Sequence, residues 1–427
     1  MLGIQKRLAN SFYAILSLPA TAMGFALSIQ ISALSWILST KYNLDIHEVG
    51  IVWAAGPMAG IFGQVIIGLI SDKVWFWGGR RRPFILIGGV LAALMLLALP
   101  SIDIINNFLR IGSLITVAVA VALTLDMAIN ISFNPTRSII ADVTPEGVAR
   151  TKGYTWMQTI SGFFGVLAYV IGASFGNYIL IYFGIGLVLL FSILPTLFIK
   201  EEKEIKLNAS LSGVGIGIES SRVKWGQLFR IYFAHAFSWL GIQTMFVYII
   251  AFIQQKLLPA SDYETGQIIS ISFAVLNTVG FILPALVLEP ITEKIGRVRT
   301  HIYCVAVMSI GYLGMVAFGK TPLILYILMA VAGIGWAAVV SLPFAIMSEK
   351  VDKSRMGFFM GIFNLSVVIP QLIVSLFFGL IIKEAADKNI IFIISGVSLA
   401  ISAVLWHMVK ESAAVKASKK IPALGGH

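Results

Sequence analysis

Asp126, Asn130, Asn134 and Arg137 fall inside one long apolar run and are spaced for a single helical face. At about 100° per residue, their offsets of 4, 8 and 11 return to within roughly 80° of Asp126, giving a polar stripe about 16 Å long. A carboxylate or guanidinium at bilayer depth costs on the order of 3 kcal/mol or more, so such groups face a cavity or a partner and mark a substrate or ion path. The chemistry expected here is therefore handling of a proton, an ion or a polar solute. Asp142, at the end of the same run, reads instead as the partner of loop arginines such as Arg150.

Uncharged polar groups and flat rings recur in the other apolar runs. Amides both donate and accept hydrogen bonds and indoles offer flat apolar faces, so together they suit a polar solute that also has apolar faces. Gln30, Gln64, Asn130, Gln158, Gln243, Asn277, Asn364 and Gln371 supply amides, and Trp36, Trp53, Trp156, Trp239 and Trp336 supply indoles. Amides in spans also serve as interhelical glue, and tryptophans as interfacial anchors. Of the amides, Gln30, Asn130, Gln158 and Asn364 are favoured as substrate-binding residues. His235 and His301, near span ends, read as structural. Cys304 lies in an apolar run and reads as a small buried hydrophobe.

The elements that must hold these residues are membrane helices. Hydrophobic residues make up 58% of the 427-residue chain and charged residues only 12%, which excludes a soluble globular protein. Spans of about 20 apolar residues number twelve, the fourth near 110–141 and the seventh near 227–255. The net charge of +11 would ordinarily raise nucleic acid as a partner, but the basic residues sit between spans. Of the 31 Lys and Arg, 24 fall on one side, 6 on the other and Arg137 within a span, which puts both termini in the cytoplasm. The short basic N-terminus has no small-residue cleavage site after its first apolar stretch, which therefore reads as a retained helix.

The longest connection, with charge at both ends and a Ser/Gly-rich middle, divides the spans six and six. The expected domains are an N-terminal six-helix bundle (1–199), a cytoplasmic linker (200–226), a C-terminal six-helix bundle (227–410) and a cytoplasmic tail (411–427). Each half repeats a short pattern between its second and third spans. The first copy is Gly68 to Asp72 and Lys73, continuing to Gly79, Arg80, Arg81 and Arg82; the second is Glu293, Lys294, Gly296 and Arg297. An acid and a turn glycine followed by arginines suit a tight cytoplasmic turn that could gate as the halves rock, so Asp72, Gly79, Arg80, Arg81, Glu293 and Arg297 are candidate gating residues. Glycine pairs such as Gly162 and Gly165, Gly333 and Gly335, and Gly357 and Gly361 would permit close helix approach or bending. No metal-ligand cluster, P-loop or Ser/His/Asp arrangement stands out, so neither cofactor nor metal nor enzymatic activity is expected, and transport would run on a gradient.

The repeated loop, twelve spans and central linker resemble the major facilitator superfamily. Residues 53–85, from Trp53 and Gly56-Pro57 through Ser71-Asp72 to Gly79-Arg80-Arg81-Arg82-Pro83, resemble more closely the sucrose (α-glucoside)/proton symporters of plants and their animal and bacterial relatives. So do Asp126, Asn130, Pro135, Arg137 and Asp142 of span four, Ser341 to Ser348 of span ten, and Gly361 to Ser375 of span eleven; Ala26 to Ser32 of span one is a weaker fit. The resemblance implies an all-α, twelve-helix fold of two pseudo-repeat bundles and import of an α-glucoside such as sucrose or maltose with protons. It also implies that Asp126 and Arg137 form the coupling and sugar-binding pair and that His47 governs substrate access. A monomer embedded in the cell (inner) membrane would suffice. Span seven departs from the plant pattern: Trp239 to Tyr248 carries no charge, where plant members have acids and an arginine. Alternatives are a sugar uniporter or exporter of the same fold and, in another class, a membrane sugar sensor without transport.

Overall fold

A computed structural model describes residues 5, 7–61, 70, 74–145, 148–201, 225–283, 287–348, 350–351 and 356–411. Among them there is no strand; the backbone is helix after helix, as a hydrocarbon setting demands, because a helix satisfies its own N–H and C=O groups. In chain order these are α1 (Asn10–Thr40), α2 (Ile46–Trp53), α3 (Arg82–Ala98), α4 (Ile102–Leu109), α5 (Leu114–Val143), α6 (Val148–Phe175), α7 (Asn177–Phe198) and α8 (Trp225–Phe252). There follow α9 (Asp262–Leu283), α10 (Glu289–Ile295), α11 (Arg297–Phe318), α12 (Pro322–Ser348), α13 (Met356–Ile373), α14 (Gly379–Glu384) and α15 (Ile390–Trp406).

Ten helical stretches among the described residues are long and apolar enough to cross a membrane. The shorter α15 and the helix that begins at Ile46 occupy the places of the remaining two expected spans. Span four and α5 agree within a few residues, while the third span, expected from its apolar run at about 83–100, runs on through α4 to Leu109. Helical π turns extend α8 (Ile253–Leu257) and join α13 to α14 (Val374–Phe378).

Two compact units result. The first comprises Met1–Ser212, Ile253–Ala274 and Ser375–Glu384; the second comprises Gly213–Phe252, Val275–Val374 and Ala385–His427. In the first, α1 packs on α6 and α7, and α3 on α5 and α7. The segments 253–274 and 375–384 join these helices: Ser32 and Ser270 hydroxyls lie 2.7 Å apart, both bonded to Asn177 Oδ1 at 3.2 Å, and Trp36 Nε1 donates to the Asp262 carbonyl at 2.7 Å. In the second unit, α11 packs on α12 and α15, and α8 on α15 and α13.

Glycine sets the closest approaches in both units. A Cβ at Gly88 would stand 2.7 Å from the Ala128 carbonyl of α5, and one at Gly335 would stand 2.7 Å from the Cys304 carbonyl of α11. Gly333 is equally tight, against the Leu276 carbonyl at 2.9 Å. Gly361 differs from expectation: a Cβ there meets open space, so it brings no helix closer in this conformation.

Candidate functional site

The centre of the first unit is the Asp126 carboxyl, 6% exposed. It is placed by α5 and enclosed by two neighbours. Gln30 of α1, itself 4% exposed, donates Nε2 to Asp126 Oδ2 at 2.9 Å. Gly56 supplies the other wall, with a Cβ there only 3.3 Å from Oδ2 and 3.4 Å from Oδ1, so any larger residue would crowd the carboxyl. Asn130, one turn on, donates Nδ2 back to the Asp126 carbonyl at 2.8 Å. Gln30 Oε1 is buried and has no partner among the described residues. One face of an amide thus serves the acid while its acceptor stands idle.

Arg137 does not join this group. It lies near the far end of α5, exposed, with its guanidinium 5.0 Å from the Phe133 ring centroid, and its carbonyl accepts from Tyr154 Oη at 3.1 Å. Asp126 and Arg137 make no ion pair in this conformation. Gln158 is exposed on α6, and Asn364 is half-buried on α13 with no hydrogen-bond partner among the described residues. His47 sits in the first turn of α2, its backbone N–H donating to Asp45 Oδ1 at 2.8 Å and its Nδ1 buried without a partner among the described residues.

The loop residues fall out differently from the sequence pattern. Asp72 and Gln64 lie outside the described residues, and Glu293 is exposed. The acids that cap the repeated turns are instead Glu201 and Glu411. Glu201 accepts the backbone N–H groups of Arg80, Arg81 and Arg82, all at 2.8 Å, where a carboxylate meets the unpaired donors and positive end of α3. A Cβ at Gly79 would come within 2.5 Å of this carboxylate. Glu411 likewise accepts from Arg297 and Val298 at 3.1 Å, at the start of α11. The signal for both was present as the Lys-Glu pair that closes each half, Lys200-Glu201 and Lys410-Glu411. Asp142 binds the loop arginines Arg80 and Arg81 at 2.8 and 3.1 Å; the side chain of Arg150 lies outside the described residues.

The second unit gathers other chemistry. Gln371 Nε2 donates to Gln243 Oε1 at 3.3 Å, and Trp336 Nε1 to Asn277 Oδ1 at 3.3 Å. His235, buried and stacked on Phe363 with ring centroids 4.9 Å apart, accepts from Trp239 Nε1 at 3.0 Å. His301 is buried with its ring 4.4 Å from that of Trp406.

Two helical units built from membrane-length helices, one enclosing the Asp126 carboxyl, define a polytopic integral membrane protein. The Major Facilitator Superfamily model matches residues 16–367 and also 257–425, and the chain belongs to that superfamily. It is 25% identical to the sucrose transport protein SUC4 of Arabidopsis thaliana over 80% of this chain and 79% of that one. Identity to the sucrose transport protein SUT5 of Oryza sativa subsp. japonica is 23%, over 88% and 82% of the two chains. A general alpha-glucoside permease of Schizosaccharomyces pombe is 29% identical over 36% of this chain and 31% of its own. Among solved structures, a D-xylose-proton symporter superposes with a TM-score of 0.72 at 17% identity, covering 94% of this chain and 98% of the other. The nucleoside transporter NupG superposes at 0.68 with 14% identity, covering 96% and 100%. These structural likenesses speak for the fold.

Proposed function

We propose that this chain is a secondary active transporter that imports an α-glucoside of the sucrose or maltose class together with protons, by alternating access. The observation that carries the proton half is the Asp126 carboxyl, enclosed by α1, α5 and Gly56 with, among the described residues, one side-chain hydrogen-bond donor and no cation beside it. A charged carboxylate so placed bears a large desolvation penalty with little to offset it, and binding a proton removes that penalty. The idle Gln30 Oε1 supports the same reading. Turning the amide over presents it as an acceptor to the protonated acid, so Gln30 serves either state of Asp126. The sugar half is supported by the relatives named for sucrose and α-glucosides.

In this mechanism the bundles 1–199 and 227–410, joined by 200–226, rock in the cell membrane, with both termini and the 411–427 tail cytoplasmic and one chain sufficient. Proton and sugar load together, and the opposite opening lets both leave. Arg137 meets Asp126 or the sugar only in another state of the cycle. Gln30, Asn130, Gln158 and Asn364 bind substrate, and His47 lies on its access route. Asp72, Gly79, Arg80, Arg81, Glu293 and Arg297 act with Glu201 and Glu411 at the cytoplasmic turns.

The test is uptake of radiolabelled maltose and sucrose into proteoliposomes, with and without an inward proton gradient, for the native chain and Asp126→Asn. Gradient-driven accumulation that is lost in the variant supports symport through Asp126. Equilibration indifferent to gradient and variant identifies a uniporter, accumulation driven by sodium alone replaces the coupling ion, and binding without flux identifies a sensor.

A further inference from the structure

Two fully described π turns, Ile253–Leu257 and Val374–Phe378, stand where the chain passes from the second unit into the first. Phe252 closes one stretch of the second unit and Val374 another. A π turn widens the helix by one residue, deprives carbonyls of their usual donors and is a common place for a helix to bend. The first of these turns ends its helix, so it carries nothing beyond it. The second joins α13 to α14. By contrast α9 crosses between Ala274 and Val275 as unbroken helix. The sequence explains the break in α13. Pro370, one turn earlier, has no N–H for the Ser366 carbonyl, and Gly379 begins α14 directly after the turn.

Each side of this turn is held separately. Within the second unit, Tyr248 of α8 is 1% exposed and donates its hydroxyl to the Val374 carbonyl at 3.1 Å. The carbonyl that opens the turn thereby gains a donor in a place where hydrocarbon offers none. Within the first unit, α14 packs against α2, buries Ile382 completely and pairs Lys383 with Asp45 at 2.8 Å. The ion pair is exposed and therefore weak, whereas the hydroxyl-to-carbonyl bond is dry and counts for more. A six-residue helix is thus seated on one unit, tethered through a bend to a stem in the other, and the bend is pinned by one hydroxyl.

We infer that Val374–Phe378 is a hinge, that α14 is a strap which the hinge swings on and off α2, and that Tyr248 is the positioning residue that pins the hinge in the seated state. With the strap seated, Ile382 is covered and the end of the first unit at which α2 begins is closed. On the proposed topology that is the external end, a step that rests on the transporter reading; the strap itself does not. The bend lets α14 leave α2 while α13 stays in place, so access at this end is governed by a local pivot as well as by the rocking of whole bundles.

The experiment is the rate of maleimide modification of the full chain in detergent, with Ile382→Cys in one protein and Ile199→Cys in another. Both positions are fully buried and the native Cys304 is buried as well, so modification reports opening at the introduced site. Tyr248→Phe keeps the ring and removes the hydroxyl. It is expected to raise the rate at 382 about fivefold and to leave the rate at 199 unchanged. Lys383→Gln, which frees only the exposed ion pair, is expected to raise the rate at 382 about twofold. An unchanged rate at 382 in Tyr248→Phe overturns the proposal, and so does an equal rise at 199, because the whole chain then loosens. Should Tyr248→Phe not fold, hydrogen exchange of the native chain decides: backbone amides of 379–384 that exchange no faster than those of 362–373 overturn the strap. In proteoliposomes, modification of Ile382→Cys wedges the strap open and is expected to stop sugar uptake. Full uptake after modification overturns the strap's part in access and leaves the transporter reading intact. A native chain without flux overturns the transporter reading and leaves the hinge to stand on the modification rates.

Discussion

The two units share a scaffold and divide their chemistry. Each has a glycine that lets one helix meet the backbone of the next, Gly88 against α5 and Gly335 against α11. Each ends in a Lys-Glu pair whose carboxylate caps an earlier helix. Yet the first unit buries an acid at its centre, whereas α8, α11, α12, α13 and α15 carry no Asp or Glu. Their interior polar groups are hydroxyls, amides, indoles and imidazoles. Internal repetition therefore preserves what folds a bundle and turns its ends, and leaves the interior polar residues free to diverge.

If the divergence is a division of labour, separate substitutions should injure separate quantities. One proton moved through 100 mV supplies about 2.3 kcal/mol, enough for roughly fiftyfold accumulation. Asp126→Asn is expected to remove that factor, bringing internal sugar down to the external concentration, while Gln243→Ala in the second unit, which loses the bond from Gln371, keeps the ratio. Steady-state uptake under a fixed proton gradient checks both. A Gln243 variant that lost accumulation at saturating sugar would mean that coupling is shared by the two units, and the comparison would break.

The repeated caps allow a finer comparison on the scale of stability. Glu201 takes three backbone N–H groups at 2.8 Å and Glu411 takes two at 3.1 Å. Both are half-buried, and hydrogen bonds to a charged group are among the stronger ones. Glu201→Ala is expected to cost about 2–3 kcal/mol and Glu411→Ala about 1–2 kcal/mol. Thermal unfolding in detergent would rank them, and the reverse order would show that the number and length of these bonds do not set the strength of the cap.

Gly56 and Gly361 sharpen the contrast further, since one touches the acid and the other touches nothing. Gly56→Ala presses a methyl group to 3.3 Å from Asp126 Oδ2, and a strain near 1 kcal/mol would slow coupled uptake about fivefold. Gly361→Ala is expected to leave uptake within about twofold in this comparison. Initial rates under a fixed proton gradient are the measurement.

Much of this was legible in the chain, because hydrocarbon imposes its pattern on length and charge. The run of membrane-length helices and the exceptional character of Asp126 follow from apolar runs and from the cost of burying a charge. Gln30 could be named as a polar residue in a span, but its bond to Asp126 joins residues 96 apart and depends on how α1 meets α5. The stripe from Asp126 to Arg137 shows the opposite limit. Periodicity puts both on one face of α5, yet about 16 Å separates its ends, and only the acid end is enclosed. The capping acids escaped because the motif drew attention to carboxylates inside each turn, while the donors at a helix start accept one from anywhere in space.

The weakest expected effect lies at the start of α2, where the first unit draws on a segment from late in the chain. Asp45 caps α2 by accepting from His47 and Glu48 at 2.8 and 3.0 Å, while Glu48 returns a bond to the Asp45 N–H at 2.8 Å. The other Asp45 oxygen pairs with Lys383 of α14 at 2.8 Å. Partial burial pulls the Asp45 carboxyl upward, but the Lys383 ammonium and the two backbone N–H groups outweigh it and hold the group below the ordinary carboxylate value. A depressed folded-state value means that the contact is fully formed above the ordinary carboxylate range and is lost only as the pH falls through the lowered value. Between pH 5 and 8 the latch is therefore constant, and any pH dependence of transport there arises elsewhere. Asp45→Asn keeps the side-chain oxygen that caps α2 and removes the charge facing Lys383. Because the pair is well exposed, it is expected to change stability by under about 1 kcal/mol and to leave the pH profile of uptake unmoved. A profile displaced within that window by Asp45→Asn would transfer part of the proton response from Asp126 to this latch, and the first unit would then hold two proton-sensitive groups instead of one.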